Sequence, residues 1–136
     1  LPGIEALAKA DVAIFFMRFL KLPDPEWQPI ENYLKSGKPV IGLRTANHSF
    51  KYPKEHPRFA WNDGFGRRAL GTPYIVHQAG TTDINTVTKY SSHPVMSHVT
   101  KTEWVSPGTL YLTRLEGGCL PLATGNGTGR ARLGGS

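Results

Sequence analysis

The sequence predicts an α/β domain, a mostly parallel sheet with flanking helices, truncated at both ends. Three observations point there. Val12-Ala-Ile-Phe-Phe-Met17 is a short apolar run rich in Val, Ile and Phe, the composition of a strand buried on both faces. Trp27, Ile30 and Leu34 then recur at helical spacing. Lys38-Pro-Val-Ile-Gly-Leu43 returns to a strand pattern, so strand, helix and strand compose one βαβ unit, right-handed by rule. The ends complete the expectation. The chain opens on Leu1-Pro2-Gly3 without an initiator Met and closes on Gly134-Gly135-Ser136 without a closing helix, which predicts a fragment of a longer sheet. Such a fragment exposes strand edges and an apolar face.

Taken in order, Ile4 to Lys9 predicts a short helix and Asp11 to Met17 the first strand. Pro23-Asp24-Pro25-Glu26 starts the main helix, with Asp24 as N-cap and Pro25 at the first helical position; Pro29 falls early enough to be tolerated, and Gly37 ends the helix. The second strand follows from Pro39 to Leu43. Asn47 to Thr72 reads as a long loop whose aromatic residues (Phe50, Tyr52, Phe59, Trp61, Phe65) argue against disorder, with a helical turn at Arg67 to Leu70. Tyr74 to His77 and Asp83 to Val87 predict short strands, His93 to Val99 a turn or short helix, and Thr109 to Leu115 and Cys119 to Thr124 late strands.

Composition narrows the function classes. With 136 residues the chain is about one domain long, and 39% apolar residues suffice for a core. The longest apolar run is far shorter than the roughly 20 residues that span a bilayer, so no membrane partner is expected. The net charge of +6 invites a nucleic-acid reading, but the basic residues are scattered singly. The tightest group, Arg67-Arg68, sits near Asp63 without a nucleic-acid motif, so no nucleic-acid partner is expected. Cys119 is the sole cysteine, which excludes a disulfide framework and a Cys-based metal site and favours a cytoplasmic compartment. It reads as a small buried strand residue. Oligomeric state stays open.

The densest functional signal is the turn after the second strand. Gly42 allows a close backbone approach just before Arg44, Thr45, Asn47 and His48, and ligands in open α/β sheets bind outside the carboxyl ends of strands. The pattern matches a nucleophile elbow, a strained strand-to-helix turn. The residue at the nucleophile position is Arg44, which stays protonated and cannot attack.

Ala10-Asp11-Val12, Gly37-Lys-Pro-Val-Ile-Gly-Leu43, Leu70-Gly71 before a strand ending at His77, His93-Pro94-Val95, and Leu122-Ala-Thr-Gly125 together resemble the trehalose-utilisation (ThuA-like) family. That family belongs to the class I glutamine amidotransferase-like superfamily. The resemblance covers nearly the whole chain and implies a single partial ThuA-like domain over residues 1–136, with a flavodoxin-like sheet and a role in metabolism of trehalose or a related disaccharide or keto-sugar. It implies no cofactor. True glutamine amidotransferases carry a Cys at the elbow; the family resembled here typically lacks it, as this sequence does. Without a nucleophile, glutamine hydrolysis is excluded.

The candidate catalytic residues are Arg44, His48 and His77, and the candidate ligand-binding residues Arg44, Thr45, Asn47, His48, His77 and Trp61. Arg44 and His48 suit hydrogen bonds to sugar hydroxyls or an acidic group, and His48 suits general acid or base chemistry near neutral pH. The alternative is an Arg44 paired with a carboxylate and a His48 that is an exposed turn residue. His77, at a strand end, either joins that cleft or is structural, and His93 starts a turn or helix. Trp61 either stacks on a sugar ring or plugs the core. No His-x-His or His-x₃-His pair with carboxylates appears, and no metal site is expected. A non-catalytic binding or assembly module is the competing reading.

Overall fold

A computed structural model describes residues 1–132, which form two compact units, one over Leu1–Pro73 and one from Tyr74 onward. The Gly134-Gly135-Ser136 end lies outside the described residues.

In the first unit a 3₁₀ turn over Ile4–Lys9 leads to β1 (Ala13–Phe15), α1 (Asp24–Lys35) and β2 (Val40–Gly42). β1 and β2 pair in parallel, with Ala13 opposite Val40, Ile14 opposite Ile41 and Phe15 opposite Gly42. The expected strand–helix–strand order is therefore present. α1 buries Trp27, Ile30 and Tyr33, one face at helical spacing, and the Tyr33 hydroxyl donates to the Pro39 carbonyl at 2.7 Å, tying the helix to the entry of β2. Gly37, at φ 71°, takes the left-handed conformation that stops the helix and turns the chain into β2.

The helix start differs from expectation. Pro23 is the N-cap residue, and Asp24 is already helical with no capping bond. Its carboxylate is engaged instead by the guanidinium of Arg58, which also lies over the Trp27 ring, 5.6 Å from its centroid. That hydrogen bond and the charge of Arg58 hold the Asp24 carboxyl below its ordinary value of 3.8. A depressed carboxylate pKa gives stability that is present above the unfolded value and lost as pH falls through the folded one. Urea midpoints followed from about pH 6 down to pH 3 are expected to fall less steeply in Asp24→Asn than in the wild type. Equal slopes would remove this ion pair from the acid response.

Beyond β2, the segment expected to be a loop holds much of the core. A 3₁₀ turn (Arg44–His48), a short helix α2 (Trp61–Gly64) and a wide π-type turn (Phe65–Ala69) surround an aromatic cluster. Phe50 meets Trp27 edge-on at 5.2 Å and Phe65 at 5.5 Å, and Phe65 meets Phe15 at 5.2 Å. Ala13 and Phe15 face this cluster. The strand was expected to be buried on both faces, but Val12, Ile14 and Phe16 on its other side are exposed, Ile14 by 62% and Phe16 by 66%.

The second unit overturns the expected fold class. The mostly parallel, flavodoxin-like sheet does not form, because every strand pairing here is antiparallel. Strands β3 (Tyr74–Gln78), β4 (Thr82–Thr86), β5 (Glu103–Ser106), β6 (Leu110–Thr113), β7 (Ala123–Gly127) and β8 (Ala131–Arg132) make two three-stranded sheets, in the orders β6-β3-β8 and β5-β4-β7. The physical reason lies in the connections. A parallel crossover needs a helix to cover the sheet, whereas the sixteen residues that join the paired strands β4 and β5 hold only two short 3₁₀ turns, Thr88–Tyr90 and Pro94–Met96.

Candidate functional site

The turn after β2 has the backbone of an elbow. Leu43 is extended and donates its N–H to Phe15 O at 2.8 Å, continuing the pairing of the two strands. Arg44 then switches to φ 46°, left-handed for a non-glycine residue, and the chain coils at once into the Arg44–His48 turn. Left-handed backbone costs an L-residue about 1–2 kcal/mol, so surrounding contacts have to hold it. They are visible: Ala46 through Phe50 are all buried, and Ser49 Oγ donates to Ala46 O at 2.6 Å.

The turn is knitted to the chain leaving β1. Phe19 N–H donates to His48 O at 3.2 Å, Leu20 N–H to Ser49 O at 2.7 Å, and Lys51 N–H to Leu20 O at 3.0 Å. This short parallel bridge forces a second left-handed residue, Phe19 at φ 52°. The only two non-glycine residues with positive φ among the described residues thus follow the only two parallel strands.

His48 is 7% exposed and packs against the Phe19 ring with centroids 5.1 Å apart. Its Nδ1 and Asn47 Oδ1 are 2.8 Å apart; with the proton on Nδ1 the imidazole donates to the amide oxygen, and Nε2 is the acceptor nitrogen. His48 is therefore not the exposed turn residue of the alternative reading. Arg44 is exposed at the head of the turn, and Thr45 is half-buried beside it.

The other candidates lie on other elements of the chain. His77 lies on β3 in the second unit, where the Tyr74 hydroxyl is 2.8 Å from its Nδ1 and the Tyr111 ring 5.9 Å away. His93 Nδ1 accepts the Val95 N–H at 3.3 Å, a cap on the short turn Pro94–Met96. Trp61 has Trp27 edge-on at 5.0 Å and Arg68 over its ring at 5.5 Å. These contacts make it a core aromatic, one edge of which opens on a groove of about 340 Å³ shared with Lys35, Lys38, Val40 and Arg68. Asp63 pairs with Arg67 at 3.0 Å. Cys119 lies in the turn before β7 rather than in a strand. Among the described residues, no three His, Cys, Asp or Glu side chains group as around a metal ion, and no helix is long and apolar enough to cross a membrane.

Sequence reasoning missed Arg18, Phe19 and Lys51. The signal was available, since the rule that placed interest at the carboxyl end of β2 applies equally to the end of β1, where Arg18-Phe19 stand. What the arrangement offers chemically is a cationic, strained turn backed by a buried imidazole. It presents the Arg44 guanidinium as a hydrogen-bond donor, while the Ser49 hydroxyl is buried and committed to Ala46 O. No protein-family model, no curated protein and no solved structure matches the chain.

Proposed function

We propose that the elbow turn binds a small polyhydroxylated ligand, a disaccharide or keto-sugar as the ThuA-like resemblance implies, without amidotransferase chemistry. The observation that carries this reading is the pair of left-handed non-glycine residues, Phe19 and Arg44, at the carboxyl ends of the two parallel strands. Strain of this kind concentrates at ligand sites, where it aims a side chain that a relaxed turn would not present. Arg44 supplies a planar set of donors to hydroxyl or carboxylate oxygens, and Asn47 and His48 fix the turn from beneath.

The test compares two substitutions of one residue. Arg44→Ala and Arg44→Gly both delete the guanidinium, and both are expected to abolish any rise in melting temperature produced by trehalose or its keto derivative. Only glycine escapes the left-handed penalty, so Arg44→Gly is expected to be about 1 kcal/mol more stable than Arg44→Ala in urea. A sugar response that survives in both variants refutes the ligand role of Arg44, and equal stabilities refute the strain.

One observation favours the second reading, an assembly module. Val12, Ile14, Phe16, Ile41 and Leu43 are all exposed on the β1–β2 sheet, a contiguous apolar set of the kind that marks interaction surfaces. On that reading Arg44 variants are tolerated, and Ile14→Ser and Phe16→Ser are the disruptive ones.

A further inference from the structure

The two chain segments that leave the carboxyl ends of the parallel strands carry charge of one sign. Residues 16–23, after β1, contain Arg18 and Lys21; residues 43–54, after β2, contain Arg44, Lys51 and Lys54. Neither segment contains Asp or Glu. The carboxylates of α1 and α2 are engaged in ion pairs of their own: Asp24 with Arg58, Glu26 with the Leu1 amine, Glu31 with Lys35 and Asp63 with Arg67. Arg18 and Lys51 are in no ion pair among the described residues.

The backbone bridge between the segments brings these two cations to a single ring. The Arg18 guanidinium carbon lies 4.6 Å and Lys51 Nζ 5.3 Å from the Phe19 centroid, and His48 flanks the same ring. Two like charges that share one aromatic ring repel each other, and both side chains are exposed, so the ring's attraction is all that the fold offers them. An anion that reaches both cations from solvent gains two charge-assisted contacts in place of that repulsion. The left-handed Phe19 holds the ring, and with it the two cations, in the segment that leaves the carboxyl end of β1, bridged to the segment beyond β2.

We propose that this carboxyl-end surface binds an anionic group, a phosphate or a carboxylate, of a sugar-sized metabolite. The inference rests on the elbow being a ligand site, and it changes the ligand from a neutral sugar to an acidic or phosphorylated one. A neutral disaccharide would leave Arg18 and Lys51 without a role.

The test titrates the whole chain at low salt with inorganic phosphate, glucose 6-phosphate, gluconate and trehalose, following heat of binding and melting temperature. Glucose 6-phosphate or gluconate is expected to bind, more weakly as salt is added, and to lose about tenfold in affinity in Arg18→Gln/Lys51→Gln. Phosphate against gluconate separates the two anion chemistries. Lys9→Gln/Lys101→Gln removes the same charge elsewhere and is expected to leave affinity unchanged, which distinguishes a site from bulk attraction. Urea midpoints check that the exposed substitutions leave the fold intact. Failure of every small anion to bind at about 10 mM, equal loss in both double variants, or binding confined to an oligonucleotide overturns the proposal. Trehalose binding without anion binding also overturns it while leaving the elbow reading intact. Anion binding without trehalose binding upholds it and removes the neutral sugar.

Discussion

Phe65→Ala is expected to destabilise the protein by about 3–5 kcal/mol, measured as a fall in the urea midpoint. Phe65 is 0% exposed, and its ring stands edge-on to both Phe15 and Phe50, at interplanar angles of 75° and 84°. Removing it strips two aromatic partners of one face each and leaves a void between β1 and the segment beyond the elbow. A loss of this size is a large part of the roughly 5–15 kcal/mol that folded domains have in total. The comparison is Phe59→Ala, from the same stretch of chain. Phe59 is 46% exposed, and its removal is expected to change stability by no more than about 0.5 kcal/mol. Similar losses in both variants would mean that the aromatic cluster is not centred on Phe65.

That contrast shows where the sequence could be read and where it could not. Aromatic density between Asn47 and Thr72 correctly pointed away from disorder, but nothing in the spacing of residues 50, 52, 59, 61 and 65 separates the inward rings from the outward one. No period applies, because long-range bonds set the geometry. The Asn62 side chain both accepts from Tyr52 N–H at 2.8 Å and donates to Tyr52 O at 2.9 Å, replacing the neighbouring strand that Tyr52 lacks. In α1, by contrast, Trp27 and Ile30 fall on one face by helical period alone, and the burial follows.

The second unit failed to be legible for a different reason. Its strands from Tyr74 and Leu110 were visible in their apolar runs, but the parallel arrangement was carried over to them from the βαβ pattern of the first unit and from the resemblance, and among the described residues no α-helix lies between the paired strands to make a parallel crossover. The late strand expected over Cys119 to Thr124 stopped short of the Gly-rich stretch that follows it. In the structure Gly125 and Gly127 belong to β7, where a Cβ at Gly125 would meet Leu110 and Thr82 and one at Gly127 would meet Gln78. Glycine there permits close packing rather than flexibility, a distinction composition does not carry. The elbow was legible because it is local: a strand, a Gly and a run of polar residues suffice to forecast a sharp turn, and Arg44 is left-handed where the pattern put the strained residue.

Gly66→Ala tests whether that turn depends on its support, and it is expected to cost about 2–3 kcal/mol, the upper part of the range for overpacking. A Cβ on Gly66 would run into the backbone carbonyl of Asn47. Backbone cannot rotate away as the end of a flexible side chain can, so either the π-type turn or the elbow has to move. Asn47 carries the amide that accepts from His48, and it lies three residues after Arg44, so a displaced elbow loses the aim of both. Binding at the elbow is therefore expected to disappear in Gly66→Ala even at temperatures where the protein remains folded. Gly64→Ala provides the control two residues away. A Cβ there would meet only Arg68 and Trp61 side-chain atoms at 3.7–3.9 Å, ordinary contact, and the helical position makes the change neutral or stabilising by about 0.5–1 kcal/mol. If Gly66→Ala instead retains both stability and binding, the elbow is not braced by the π-type turn, and the strain at Arg44 is held by the Leu20–Phe50 bridge and the buried Ala46–Phe50 stretch.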